Sequence, residues 1–447
     1  MKGRLYVLCM FFVVGTMSSQ NKEMSLSMQE AIDYAIKNSY TTKVAENDVK
    51  AAIKKRWETI ATGLPQINGE VNYINNLKQP VSLLPGEIVN KEKGTFVPVT
   101  FGTKQTMNAT VTLNQLLFDG TYLIGLQSAK TYLKISKQAK EKTILATKEA
   151  IINAYGNVLI TEKTIEILER NKKVLEKNFN DAKKINENGL NEEEDVEQLE
   201  ITLGNVESSL RNAIRLKGIA YQMLNLSLGN SINTKLVLTD NLDSLMLTNI
   251  DLELLTKTFN LEKHIDFRIA ENDRKSKYLL MRLQQSKALP SLGAFLNYGA
   301  AANSNTFSFL DESQDWFKSS VLGISLKIPL FSSLGRSAKT AQAKIALASA
   351  DIRLEEIKQK LSLQAEAAKS EYQLSIENYE TAKRNLELAE RIEKKQQIKF
   401  FEGISTSFDL YQAQNQLYSQ QDKYVQSMLN VVAKKAKLEN ALNITIK

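Results

Sequence analysis

The sequence predicts a mainly helical protein with a small amount of membrane-type β-structure: a tandem-repeat chain of four β-strands plus long coiled-coil helices. Three observations carry this reading. All six prolines fall in two zones, Pro65 to Pro98 and Pro290 to Pro329. Proline is costly inside a helix, so the proline-free stretches between and after those zones are helical territory. Beside the prolines lie four segments of about ten residues in which apolar and polar side chains alternate, the period of a half-exposed strand. Finally, the motifs of one half recur in the other.

The N-terminus reads "MKGRLYVLCMFFVVGTMSSQ". Lys2 and Arg4 form a basic start, Leu5 to Val14 an apolar stretch, and Ser18 and Ser19 a small-residue end. Residues 1–20 are therefore read as a secretory signal peptide. Cys9, the only cysteine, lies within that apolar stretch with no lipobox around it, so the mature chain has no thiol. That fits an exported protein without disulfides. No later segment has the roughly 18 consecutive apolar residues of a spanning helix, so any membrane crossing falls to β-strands.

The repeat is read from several matches. Ala45-Glu46-Asn47-Asp48 and Ala270-Glu271-Asn272-Asp273 are identical and 225 residues apart. "LPQINGEVNY" from Leu64 matches "LPSLGAFLNY" from Leu289 at the same offset. The offset then falls to 213, where "TLNQLLF" matches "SLKIPLF", and settles at 214, where Gly189 and Asp195 match Gly403 and Asp409. The change of offset places an insertion of about twelve residues between Tyr73 and Val111. The first repeat is assigned to 21–229, with strands at about 66–76 and 106–116 and a hairpin tip near 189. The second is assigned to 230–447, with strands at about 291–300 and 319–329 and a tip near 403.

In the helical territory, Ile144, Ile151, Tyr155, Val158, Ile165, Leu168, Leu175, Phe179 and Ala182 step by threes, fours and sevens, a coiled-coil stripe. Such a helix from Thr121 to about Asn188 would be a rod of about 100 Å. Gly189 breaks it, and a second helix returns from Glu192; Gly403 does the same in the second repeat. In the strands, Val71, Val111, Leu296 and Ile324 share an apolar face, with Asn72 and Thr112 opposite. Four strands cannot close a barrel, and an open edge in lipid leaves backbone groups unpaired. The chain is therefore expected to oligomerise.

The net charge of +8 is spread in mixed Lys/Glu patterns, which reads as a solvated surface and not a nucleic-acid site. His264 is the only histidine, so no His-based metal cluster or triad is available, and it is read as a surface or packing residue. Trp57 is read as packing, and Trp316 and Phe317 as an interfacial aromatic pair.

Together the twofold repeat, "LPQINGEVNY" and "LPSLGAFLNYG" opening each hairpin, "NQLLFDG" and "KIPLFSSLG" closing it, and the Gly-to-Asp spacing at the tips resemble the TolC family of outer-membrane efflux proteins. The resemblance implies a homotrimer whose 12-stranded β-barrel in the cell outer membrane continues into a 12-helix α-barrel in the periplasm. It implies a passive exit duct of a tripartite efflux or type I secretion system, with a periplasmic adaptor and an inner-membrane transporter as partners. Neither enzymatic chemistry nor a cofactor is implied. Carried over by position, the pore constriction falls on Asp409, Gln412 and Phe400, with Asp409 as the ring acid. Gly189, Asp195, Gly403 and Ser405 fall in the tip and adaptor region. Gln412, Phe400 and Ser405 replace a second ring acid, a latch tyrosine and a latch arginine, so packing of Phe400 and Phe401 takes the place of a polar latch.

Two readings stay open for the tip acids. Asp195 and Glu192 to Glu194 suit the positive end of a following helix as well as a latch or an adaptor contact. The competing class for the whole chain is a non-channel periplasmic coiled-coil structural or tethering protein, which would have no lipid-facing strands.

Overall fold

The computed structural model describes residues 24–189 and 191–444. The signal peptide assigned to 1–20 lies outside the described residues. In chain order the elements are β1 (Met24–Leu26), α1 (Met28–Asn38), α2 (Tyr40–Ala61), β2 (Gln66–Asn75), β3 (Val81–Pro85), β4 (Phe96–Thr100), β5 (Gln105–Asp119), α3 (Gly120–Glu187) and α4 (Glu193–Leu228). There follow β6 (Leu236–Leu238), α5 (Leu242–Thr248), α6 (Glu253–Thr256), α7 (Ile265–Ser286), β7 (Ser291–Ser304), β8 (Phe317–Lys327), α8 (Gly335–Phe401) and α9 (Ser407–Ala441). The chain forms two compact units. The first comprises residues 24–44, 142–260 and 361–444, the second 45–141 and 261–360.

The second unit is built on one antiparallel sheet of order β2-β5-β7-β8. Directly paired residues share a face. The register puts Ile67, Leu113, Leu296 and Leu322 in one row, and Gly69, Val111, Tyr298 and Ser320 in the next. Val71 and Ile324 fall on this same apolar face. The opposite face carries rows such as Asn68, Thr112, Asn297 and Val321. A bulge between Leu116 and Phe118 interrupts β5 where it approaches α3. The sheet's outer strands, β2 and β8, each pair on one side only.

At the repeat's insertion the chain makes an extra hairpin, β3 with β4, around a 3-10 turn at Gly86–Val89. Alternation alone did not reveal it, because apolar residues occupy both its faces: Val81, Leu83 and Phe96 on one, Leu84, Val97 and Val99 on the other.

The repeated tetrapeptide lies on α2 and α7. Glu46 on α2 meets Lys140 of α3 at 3.7 Å. On α7, buried Asn272 bonds the Gln138 side chain of α3, and Arg268 Nη1 meets Glu141 Oε1 at 2.7 Å. His264 is buried, and its Nδ1 accepts from Asp266 N–H at 3.2 Å as the N-cap of α7. Trp57 is 60% exposed, so it is no packing residue within the chain.

The core of the first unit gathers α1, α3, α4, α8 and α9 around a parallel pair, β1 with β6. Two fully buried tyrosines tie the 240–251 segment to the long helices. Tyr155 on α3 lies 3.0 Å from both the Leu26 carbonyl and Asp240 Oδ2. The same Asp240 oxygen accepts from Met28 N–H at 2.7 Å, capping α1. Tyr372 on α8 accepts from Asp251 N–H at 2.8 Å and donates to the Asn249 carbonyl at 2.7 Å.

Polar pairs interrupt the apolar stripe toward the tips. Asn171 donates to Gln421 at 2.7 Å, and Gln397 donates to Asn178 at 2.6 Å. Buried amide pairs of this kind fix register between helices. On the helix surfaces the basic residues pair with acids, as in Lys172–Glu207 and Lys217–Glu162, each at 2.9 Å. Such partly exposed pairs contribute about 0.2–1 kcal/mol each.

Tyr155→Phe should cost about 1–3 kcal/mol, because it removes a buried donor between a carbonyl and a carboxylate. Tyr221→Phe, whose hydroxyl meets the partly exposed Glu162 at 2.9 Å, should cost less. Circular-dichroism melts of the two variants side by side check this. A second expectation concerns Glu393 on α8, whose carboxyl burial holds above its ordinary range. The folded state then binds the proton more tightly than the unfolded chain does. The carboxyl is without penalty at low pH and becomes destabilising as pH rises from the ordinary glutamate value through the raised one. Glu393→Gln should therefore raise the melting temperature at pH 8 and leave it nearly unchanged at pH 4.

Candidate functional site

The turns that end α3 and α8 bring the candidate site residues together in the first unit. Gly189 and Gly403 have φ of 72° and 70°, the left-handed conformation that favours glycine after a helix. At the second tip, Gly403 N–H donates to the Phe400 carbonyl at 3.0 Å and Ile404 N–H to the Lys399 carbonyl at 2.8 Å, closing the last turn of α8.

The chain then enters α9 through a reciprocal cap. Thr406 donates to Asp409 Oδ2 from its hydroxyl at 2.9 Å and its N–H at 3.2 Å. Asp409 N–H donates back to Thr406 Oγ1 at 3.2 Å. The Thr-x-x-Asp spacing that announces this cap is legible in the sequence.

Asp195 joins the tips. It lies in the first turn of α4, after Glu193 and Glu194, and its Oδ1 accepts from Ser407 N–H, the first residue of α9, at 3.2 Å. One carboxylate thus meets the positive ends of two helices. Glu192 is the N-cap of α4 and makes no side-chain cap bond.

Beneath the turns Ala182, Leu199, Phe400 and Leu410 form a small core, packed by Phe179, Val196 and Phe401. The Phe400 and Phe401 rings meet edge to face, centroids 5.2 Å apart. Phe400 is thereby an interior side chain of the tip, 8% exposed in the single chain. Gln412 is exposed on α9, and Gly189 and Gly403 are exposed at the turns. Ser405 has a buried hydroxyl with no hydrogen-bond partner among the described residues.

Between the tips lies a cleft of about 790 Å³, walled by Glu192, Glu194 and Asp195 on one side and by Phe401, Glu402 and Phe408 on the other. Phe408 is 63% exposed. The cleft is acidic with apolar patches. Among the described residues no group of three His, Cys, Asp or Glu could hold a metal ion, and no helix is long and apolar enough to cross a membrane.

Residues 260–443 match the family model described as "Outer membrane efflux protein". No curated protein sequence matches the chain. Among solved structures, the chain is similar to CusC, described for transmembrane channel formation, with a TM-score of 0.73 and 16% identity over 93% of this chain and 92% of that one. It is similar to the outer membrane protein VceC of Vibrio cholerae, with a TM-score of 0.71 and 15% identity over 93% and 95% of the two chains. The open state of the MtrE outer membrane channel of Neisseria gonorrhoeae gives 0.66 and 15% over 93% and 88%. At such identities the likeness is one of fold. Residues 260–443 thus match a domain of outer membrane efflux proteins, within a chain whose fold is that of outer-membrane channels.

Proposed function

We propose that the protein is the outer-membrane duct of a tripartite efflux or type I secretion system, a passive exit for substrates delivered by an inner-membrane transporter through a periplasmic adaptor. The observation that carries this reading is the four-stranded sheet with one apolar face and two unpaired edge strands. Lipid has no water to satisfy an open edge, so the sheet must be closed by copies of itself. Three copies give twelve strands, within the size range of membrane barrels. They also give twelve long helices to continue the duct into the periplasm. The chain alone is then a third of a working object, without enzymatic chemistry or a cofactor.

In this reading the tips are the periplasmic entrance. Asp409 supplies one carboxylate per copy. Its Oδ2 caps α9, and threefold symmetry would set three such carboxylates about one axis. Gln412, one turn along α9, adds no second charged ring. Phe400 supports the constriction from within the tip. Gly189, Asp195, Gly403 and Ser405 shape the surface offered to the adaptor, with the acidic cleft between the tips as the contact.

Arginine at Val111, on the apolar face, should cost roughly 2–4 kcal/mol if that face meets lipid near the midplane. Arginine at Thr112, on the polar face, should be much milder. The yield of folded oligomer from outer membranes compares them, and equal yields would remove the lipid-facing assignment. Conductance of purified protein in a planar bilayer tests the duct itself. Wild-type channels should prefer cations modestly, because charge at a constriction outweighs distant surface charge. Asp409→Asn should shift the reversal potential in a salt gradient toward zero preference with assembly intact. A protein that assembles but never conducts would favour the coiled-coil tether instead.

A further inference from the structure

The two unpaired edges carry complementary charges. On β2 the polar face presents Gln66, Asn68, Glu70, Asn72 and Ile74, and on β8 it presents Phe317, Ser319, Val321, Gly323, Ser325 and Lys327. Glu70 is the one charged side chain of β2, and Lys327 the one charged side chain on this face of β8. The other lysine of β8, Lys318, lies on the apolar face at the strand's far end.

Neither charge has an ionic partner among the described residues. Glu70 Oε1 accepts from Asn72 Nδ2 at 2.9 Å, and no described residue forms an ion pair with it. Lys327 likewise has no carboxylate partner among the described residues. Its row across the sheet runs through Ser291 to Asp119. Asp119 is already engaged, accepting through Oδ1 from Thr121 N–H at 2.6 Å and Tyr122 N–H at 3.0 Å at the start of α3.

We infer that Glu70 of one copy and Lys327 of the next form a charge pair across the seam where β2 meets β8, and that this pair sets the register between copies. The inference rests on the closed barrel proposed above. Both residues face the same side of the sheet, as a pair across an antiparallel seam must. Their levels also agree. Gln66 and Lys327 are the strand ends next to the helices, since β2 follows α2 and β8 precedes α8. Helices that leave the barrel on one side require those two ends to lie near one another.

Barrel geometry gives a similar answer. Within one chain the row of Gln66 runs through Asn114 and Phe295 to Gly323. A strand tilt of about 35–45° displaces a row by about four to six residues over four strands. In the direction that keeps β2 and β8 paired along their length, Lys327 falls opposite Gln66 or Asn68 of the next copy. Glu70 is then two to four residues along on the same face, about 7–14 Å at strand rise. At the nearer end an extended lysine and glutamate meet diagonally. A one-residue slip would turn every side chain of the edge to the wrong face, and a two-residue slip would keep the faces but change the distance between these charges. A charge pair discriminates the second error, which the apolar pattern cannot.

The test uses the full chain, whose one cysteine, Cys9, lies in the segment read as a signal peptide. Glu70→Cys/Lys327→Cys treated with a short bis-maleimide should give covalent dimers and trimers on denaturing gels, and each single-cysteine variant should not. In parallel, Glu70→Lys and Lys327→Glu should each speed dissociation of the detergent-purified oligomer. The double swap should recover about two- to fivefold of that loss in rate. A trimer by native mass measurement that neither cross-links through these positions nor shows recovery overturns the seam pair and leaves the duct reading standing. A monomer or dimer by the same measurement overturns both.

Discussion

In the proposed duct the structure depends on one constraint: a β-strand in lipid cannot leave its backbone groups unpaired. The sheet β2-β5-β7-β8 satisfies its interior and leaves both edges open. Each edge strand is about as long as a membrane crossing requires, and its side chains are largely exposed in the single chain. Much of the chain follows from this. A barrel shared among copies would ask each for a small sheet only, leaving the rest of the sequence to build α3, α4, α8 and α9. Helices of 68 and 67 residues would be poor choices for a globular core. They suit a chain whose apolar stripes pack lengthwise against other helices.

The repeats solve the same problem twice with different details. In both, the tip turns on a left-handed glycine and the return helix begins with acids. The second closes with the Thr406–Asp409 reciprocal cap, whereas the first lacks a side-chain cap and offers Asp195 to the start of α9 instead. The asymmetry makes the first repeat's aspartate a tie between the hairpins and the second repeat's aspartate a local cap. Equivalent positions in a duplicated sequence have thus taken different work.

Periodicity made much of this legible. Proline placement marked the helices, and strict alternation marked four strands, because each has one face of one chemistry. Positions such as Val71 and Val111 declare their face by their neighbours two residues away. The β3–β4 hairpin was missed for the corresponding reason: Leu83 and Leu84 are both apolar, so no period-two signal exists. Tyr372 carries no sequence signal either, since a tyrosine in a helical stripe looks like packing until its partners, Asn249 and Asp251, arrive from more than a hundred residues away. Trp57 fails in the opposite sense, because a large apolar residue on a helix is expected inside and here is exposed.

The tip acids show why site residues are harder to read than folds. Asp195 and Asp409 are candidate site residues by position, and both engage a helix start. Asp240 and Asp119 do the same for α1 and α3. Helix starts attract carboxylates whether or not a function lies nearby, because the exposed N–H groups and the helix dipole favour negative charge there. Position after a turn therefore cannot separate a structural aspartate from a functional one. The discriminating property is commitment: whether the charge already has a partner within its own chain. By that measure Glu70 and Lys327, which lie in the strand motifs and not among the candidate site residues, are charges without an ionic partner among the described residues, at the edges where the proposed barrel would join its copies.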